Sequence, residues 1–172
     1  AITEWGAGSD VDAIEATARR DGDDYLLNGL KVHVTSYNPA DYIFFQAKIA
    51  GGENEGAHAM FFVDKDMPGV ALIREPRYSH TYADSHAVVE FTDVRVPADH
   101  MVGDEGDGMA FTYEWFRYER LMIAARCCGA AERLIDLSRA WALEREAFGH
   151  PIAEYQAVQF MLADSLTDAL TG

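Results

Sequence analysis

Two short stretches of this chain carry atoms suited to holding a ligand, and a third carries a carboxylate suited to moving a proton. The first is Thr3-Glu4-Trp5-Gly6-Ala7-Gly8-Ser9-Asp10, where hydroxyls flank a pair of glycines. Lacking a Cβ, Gly6 and Gly8 allow the backbone to approach a bound group, although the same pattern also describes an ordinary turn. The second is the alternating run Lys31 to Thr35. In a strand it places His33 and Thr35 on one face, and the β-branched Thr35 has a stiff χ1, so its hydroxyl is already aimed. The third is Glu119, within Arg117-Tyr118-Glu119-Arg120-Leu121. It falls three residues after Phe116 and four before Ile123, which puts a carboxylate on a helical stripe that ought to be apolar. A carboxylate buried there either pairs with Arg117, Arg120 or Arg126 or has its pKa raised, as a base working near neutral pH requires.

Positioning these groups takes two kinds of element. From residue 11 to about 100 the periodicity is that of strands. Asp21-Gly22-Asp23-Asp24 is a turn cluster, and Asn28-Gly29 is the strongest hairpin signal. Tyr42 to Phe45 and Met60 to Val63 are short apolar runs consistent with buried strands, separated by the glycine-rich stretch from Gly51 to Gly56. Val89, Phe91, Val94 and Val96 carry a last strand that stops at Pro97. Six or seven strands without intervening helices predict an antiparallel β-barrel or sandwich. After Gly108 the period changes: Met109 to Ala147 has no proline and only Gly129, so a helix of about 38 residues and roughly 57 Å is expected. Its predicted buried stripe is Phe116, Ile123, Cys127, Ala130, Leu134, Leu137 and Trp141. Phe148-Gly149-His150-Pro151 ends it. A second, antiparallel helix is expected over 155–170, with Val158, Met161, Leu162, Ser165 and Leu166 inward. The fold class is therefore α+β, a β domain over 1–103 followed over 104–172 by two antiparallel helices of an incomplete four-helix bundle.

Composition narrows the partners. The 172 residues are 49% hydrophobic and 25% charged, within the range of a globular protein. A net charge of −15 speaks against nucleic acid or an anionic membrane surface as a general partner, and no apolar run approaches the roughly 20 residues needed to span a bilayer. Cys127 and Cys128 are adjacent in a helical stretch and point in different directions, so they form neither a disulfide framework nor a metal site. The histidines show no metal-ligand spacing. His80, Asp84 and His86 are close in sequence and read as polar loop or strand residues. With no targeting segment visible, cytoplasm is the default compartment.

The opening segment resembles the flavin and substrate loop of the acyl-CoA dehydrogenase family, Thr-Glu-Pro-Gly-Ala-Gly-Ser-Asp, with Trp5 in place of the proline. Further blocks follow in that family's order: Asn28-Gly29-Leu30-Lys31, resembling its Asn-Gly-x-Lys hairpin, then Val34-Thr35, Phe91 to Pro97, Gly103 to Gly108, and Arg145 to Ile152 followed by Gln156. The resemblance implies FAD as cofactor. It also implies removal of a proton from Cα of an acyl-CoA thioester by a carboxylate, with hydride passing from Cβ to flavin N5. By position Ile2 and Thr3 would meet the flavin ring, Thr35 would reach N5, and Ser9 would lie beside both flavin and acyl-CoA. Arg120 would contact substrate. Arg145 and Gln156 would hold the adenine and pyrophosphate side of a neighbouring subunit's FAD, implying a homodimer or homotetramer; the alternative for Arg145 is a cation complementing a helix C-terminus. Glu119 resembles the base of the isovaleryl and long-chain branches, whereas other branches take theirs from a later segment. An electron-transfer flavoprotein is the implied electron acceptor. The family's architecture, with a helical domain before the β domain and a complete bundle after it, implies that this chain is a fragment.

Departures from the pattern bear on the substrate. His33 stands where the family usually has an aromatic, Ser36 replaces its asparagine, and Tyr78 to Ala87 lacks its Arg-x-Ser-x-Thr pattern. The acyl group is therefore unreadable, and an unusual or bulky one is compatible. A flavin oxidase or monooxygenase on the same scaffold, and a non-catalytic scaffold, are the other readings. The second has no physical need for Thr3, Ser9, Thr35, Arg145 and Gln156 together.

Overall fold

A computed structural model describes residues 1–79 and 83–172, so that His80 lies outside the described residues. They divide into two compact units, Ala1–Thr112 and Tyr113–Gly172.

The first unit is built on a six-stranded sheet of β1 (Thr17–Asp21), β2 (Asp24–Thr35), β3 (Tyr42–Ile49), β4 (His58–Asp64), β5 (Val70–Arg74) and β6 (His86–Pro97), in the spatial order β4-β3-β1-β2-β6-β5. All neighbours are antiparallel except β1 and β3, which pair in parallel through Thr17↔Lys48 and Ala18↔Ile49. The sheet is thus mixed rather than wholly antiparallel. Its core repeats every second residue, with Tyr25 and Leu27, then Phe45, Ala47 and Ile49, then Ala59, Phe61 and Val63, all buried. The ring of Phe45 of β3 packs tilted against Phe91 of β6 at 4.3 Å between centroids, and that of Tyr25 of β2 against Phe61 of β4 at 5.0 Å. Strands that are not neighbours in the sheet can meet this way only if the sheet rolls over its own inner face.

The chain reverses between β1 and β2 at Asp21-Gly22-Asp23-Asp24, where Gly22 has φ 69° and the Arg95 guanidinium holds Asp21 and Asp24. The expected hairpin at Asn28-Gly29 is not there. With the reversal already made by Asp24, four residues earlier, Asn28 and Gly29 run inside β2 at a shift in its register with β6. Asn28 clamps the opposing strand: its Nδ2 donates to Asp93 Oδ1 at 3.0 Å and its Oδ1 accepts from Asp93 N at 2.9 Å. Gly29 is required for space, since a Cβ there would lie 2.6 Å from Ala16 Cβ.

A polar chain, buried at Thr112, Gln46 and His58 and reaching the surface at Asp12, pins the start of α1 (Gly108–Glu144) to this sheet. Thr112 Oγ1 donates to Gln46 Oε1 at 2.7 Å, Gln46 Nε2 meets His58 Nδ1 at 3.0 Å, and His58 Nε2 meets Asp12 Oδ1 at 2.9 Å. Gly108 sits against the His58 backbone, where a Cβ would come within 2.8 Å. The Gly103 to Gly108 block serves as a stapled connector, with Glu105 accepting from Tyr25 and Asn54 and Gly106 N donating to His58 O. For this reason the compact division falls inside α1.

In the second unit α1 ends at Glu144, earlier than Ala147, because residues 146–151 form a miniature hairpin of β7 (Glu146–Ala147) and β8 (His150–Pro151). Its turn residues Phe148 and Gly149 both have positive φ, 57° and 91°. The second helix, α2 (Gln156–Thr171), runs antiparallel to α1: a Cβ at Gly172, past its end, would lie 3.9 Å from Cys128 Sγ. Phe116 is half-buried as expected, as is Glu119, but further along α1 the shielded side chains are Cys128, Ala131, Ile135 and Ala142, one position on from Cys127, Ala130, Leu134 and Trp141, which are exposed. On α2, Val158 and Leu162 are half-buried as expected, but Ala169 joins them, while Met161, Ser165 and Leu166 are exposed. A one-residue offset rotates a helix face by about 100°. It went undetected because α1 carries large apolar residues on more than one face, Leu121, Leu134 and Trp141 among those exposed.

Two glycines should respond oppositely to the same change. Gly29→Ala is expected to lower unfolding free energy by about 1–3 kcal/mol through the clash with Ala16. Gly129→Ala, in mid-helix with nothing near its Cβ position, should raise it by roughly 0.5–1 kcal/mol. Urea denaturation of both variants decides the matter, and equal effects would contradict the packing at Gly29.

Candidate functional site

The opening segment lies across the sheet as an extended strip. Ala1 O accepts from Gln46 N at 3.1 Å and Thr3 O from Val32 N at 2.9 Å, so the strip is held by both β3 and β2. The chain then folds tightly, Glu4 and Ala7 exchanging N–H···O bonds of 3.0 and 3.2 Å, and Ala7 is buried. Glu4 accounts for the fold of the loop. Its carboxylate accepts from Glu15 N (2.7 Å), Ala16 N (3.0 Å) and Lys31 Nζ (2.7 Å). Lys31 is fully buried and also donates to Ile2 O at 2.9 Å.

The electrostatics follow from that burial. Burial pushes the Lys31 ammonium down from 10.5 to about 8, against the opposing effect of Glu4. Burial works to raise the Glu4 carboxyl, but the Lys31 hydrogen bond, the Glu15 and Ala16 N–H groups and the Lys31 charge outweigh it, and Glu4 is held below its ordinary value. Sequence reasoning noted Lys31 only as a motif residue and missed its pairing. The signal was a lysine and an acidic loop residue within one motif set, in a chain where a buried lysine needs a carboxylate.

This anchoring leaves one edge of the strip open. Among the described residues, no protein acceptor takes the Ile2 and Thr3 backbone N–H groups, and the Thr3 hydroxyl has no partner. Gly6 and Gly8 face open space, and Ser9 is exposed beside them. Thr35 is exposed at the end of β2. Ile2, Thr3, Ser9 and Thr35 thus fall in the same unit, and the open donors of Ile2 and Thr3 suit a group with acceptors along one edge.

The alternation around His33 is broken, since Lys31, Val32 and Val34 are all buried. A register shift between Lys31 and Val34 accounts for this, with His33 at φ 56°. Ser36 has φ 59°, a left-handed conformation that asparagine adopts more readily than most residues. Sequence reasoning read His86 as a polar loop or strand residue and gave Tyr78 no contact of its own, and both meet the β2 residues His33 and Thr35. His33 Nδ1 meets the Tyr78 hydroxyl at 2.7 Å, and Thr35 Oγ1 meets His86 Nδ1 at 2.9 Å. Trp5 stands edge-on to His33 at 6.3 Å and carries the Arg74 guanidinium over its ring at 5.6 Å.

In the second unit Glu119 is half-buried. Among the described residues it has no ion-pair partner: Arg117 bonds Glu114 at 2.7 Å and Arg120 lies 5.8 Å over the Phe116 ring. Arg145 is exposed between α1 and the hairpin, its carbonyl accepting from Ile152 N at 2.8 Å, and Gln156 opens α2.

Residues 1–94 match the family model for the acyl-CoA dehydrogenase middle domain, and residues 106–171 match that for the acyl-CoA dehydrogenase C-terminal domain. The chain belongs to the acyl-CoA dehydrogenase family. It is 34% identical to the mitochondrial long-chain specific acyl-CoA dehydrogenase of Sus scrofa over 97% of this chain and 39% of the relative. An acyl-CoA dehydrogenase structure from Geobacillus kaustophilus superposes with a TM-score of 0.92 at 35% identity, covering 99% of this chain and 46% of that one. One from Bacillus anthracis, complexed with FAD, does so at 0.89 and 30%, covering 98% and 29%. The chain therefore spans less than half the length of each. FAD is the cofactor of this family, and the open donors of Ile2 and Thr3 fit the acceptor edge of its ring.

Lys31→Met should destabilise the first unit by roughly 3–5 kcal/mol, because Glu4 keeps a buried charge with no counter-ion. Adding Glu4→Gln should recover part of that loss in a double-mutant cycle. Since the folded-state value of Lys31, about 8, lies below the unfolded 10.5, the unfolded chain holds more protons between them. This group's contribution to stability therefore rises with pH across that window. Denaturation curves at stepped pH should show the slope in the parent and lose it in Lys31→Met.

Proposed function

We propose that the full-length protein is an FAD-dependent acyl-CoA dehydrogenase acting across Cα–Cβ of an acyl-CoA thioester. The observation that carries this is the strip at residues 1–3, pinned by Glu4 and Lys31 with its outward N–H groups unused. Bound FAD supplies the two-electron acceptor. Ile2 and Thr3 hold the pyrimidine edge of the ring, Thr35 directs its hydroxyl to N5, and Ser9 borders both ring and acyl chain. Polar donors already fixed in place stabilise charge developing at a reacting centre at little reorganisation cost.

Glu119 takes the Cα proton. A half-buried carboxylate with Arg117 and Arg120 engaged elsewhere is free to accept one, which favours this role over a structural ion pair. Arg120, one residue on, binds substrate. Arg145 and Gln156 hold the pyrophosphate and adenine side of the FAD of a neighbouring subunit, in a homodimer or homotetramer. The guanidinium suits this because its planar fork matches paired phosphate oxygens. An electron-transfer flavoprotein is the electron acceptor.

Purified full-length protein should show flavin absorbance, and a colourless protein that takes up no added FAD would leave only a scaffold role. Glu119→Gln should retain FAD and substrate affinity while slowing flavin reduction in stopped-flow by about 10² to 10⁴-fold. Reduction at the parent rate would exclude Glu119 as the base.

A further inference from the structure

We infer that His58 is a positioning residue for the loop that carries Ser9, because it ties Asp12, the far foot of that loop, to the sheet; its bearing on the cofactor rests on the proposed placement of Ser9 beside the flavin. The loop has two feet. At the near one Ala7 is buried and exchanges backbone bonds with Glu4. At the far one the short helical turn Val11–Ala13 is held through Asp12, whose Oδ1 meets His58 Nε2 at 2.9 Å and whose carbonyl accepts from Lys48 Nζ at 2.5 Å. Gly8, Ser9 and Asp10 lie between the feet and are exposed.

Packing under the loop is sparse. A cleft of about 390 Å³ lies against it, lined by Trp5 and Gly6 together with Ala13, Asn28 and Leu30. A Cβ at Gly6 or Gly8 would meet nothing within 4 Å, and both glycines add backbone freedom. A segment with so few contacts takes its direction from where its ends are tied.

His58 makes a firm tie because both of its ring nitrogens are engaged. A carboxylate only accepts, so Nε2 is the donor to Asp12, while Nδ1 accepts from Gln46 Nε2 at 3.0 Å. Gln46 is fixed in turn: its Oε1 accepts from Thr112 Oγ1 at 2.7 Å and its Nε2 also reaches Met109 Sδ at 3.3 Å. Turning that amide over would set its carbonyl against the His58 Nδ1 lone pair, a mismatch that is costly among buried groups. The Gln46 backbone N–H meanwhile holds Ala1 O, so the same residue that braces His58 also holds the opening strip. Only the Asp12 end reaches solvent. Its side chain is 80% exposed, so the tie can be cut there without opening the core.

Three substitutions in the full-length protein separate this role from plain support of the core. Asp12→Ala removes the contact at its exposed end. His58→Asn keeps a polar group near the Nδ1 position, for Gln46, and loses the one at Nε2; His58→Gln keeps one near Nε2, for Asp12. In flavin-free protein, hydrogen exchange across residues 8–14, where Ala13 N donates to Asp10 O, should speed up by about 2- to 10-fold in Asp12→Ala and His58→Asn and stay near the parent rate in His58→Gln. An unchanged rate in Asp12→Ala, or equal acceleration in His58→Gln and His58→Asn, would overturn the inference. Titration of FAD into the same proteins should show Kd raised by a similar factor in Asp12→Ala, with no further rise when Asp12→Ala is added to Ser9→Ala. Effects that simply add would overturn action through Ser9. Parent protein that takes up no FAD would instead overturn the dehydrogenase reading, with the exchange comparison still deciding whether His58 holds the loop.

Discussion

A lysine with no solvent exposure is tolerable only if its charge has a partner, and in this chain the requirement is met by a carboxylate from a loop. Lys31 reaches Glu4 and the Ile2 carbonyl, and Glu4 in turn caps the Glu15 and Ala16 N–H groups. One interaction thereby ties the opening strip to β2 and to the segment entering β1. Remove it, and Ala1 to Ala7 keep only a few backbone bonds. The donors that would meet a flavin owe their fixed direction to a pair that never touches the ligand.

The fold was largely legible in the sequence where period and turn chemistry agreed. The short apolar runs Tyr42 to Phe45 and Met60 to Val63 marked real strands, and the proline-free run after Gly108 marked a real helix. Where two signals competed, the stronger-looking one misled. Asn28-Gly29 is the better hairpin dipeptide, yet Asp21 to Asp24 makes the turn, because β2 must run on to reach β6 and a glycine is needed against Ala16. The helix stripe was misread by one position because Leu134 and Ile135 are equally apolar neighbours. Only the packing partner distinguishes them, and that information is not local.

The site was legible as a motif and illegible as a mechanism. Thr3, Ser9 and Thr35 stand out by residue type. His86 does not: it is 51 residues from Thr35, and only the strand register makes the two neighbours. The same holds for the Gln46, His58, Asp12 and Thr112 chain, whose members come from separate elements and carry no shared spacing. Long-range polar pairs are set by topology, which the pattern of a single strand does not encode.

The placement of β6 beside β2 also governs the order in which this sheet can form. Leu27 pairs with Val94, so one side of β2 stays uncovered until 67 more residues have been made. The hairpins β1–β2 and β3–β4 close over short loops and cost little chain entropy, whereas the β2–β6 ladder requires a long loop to close first. On the ribosome, the strand carrying Lys31 and Thr35 therefore emerges early and waits with an open edge, a window in which another chain could add to it.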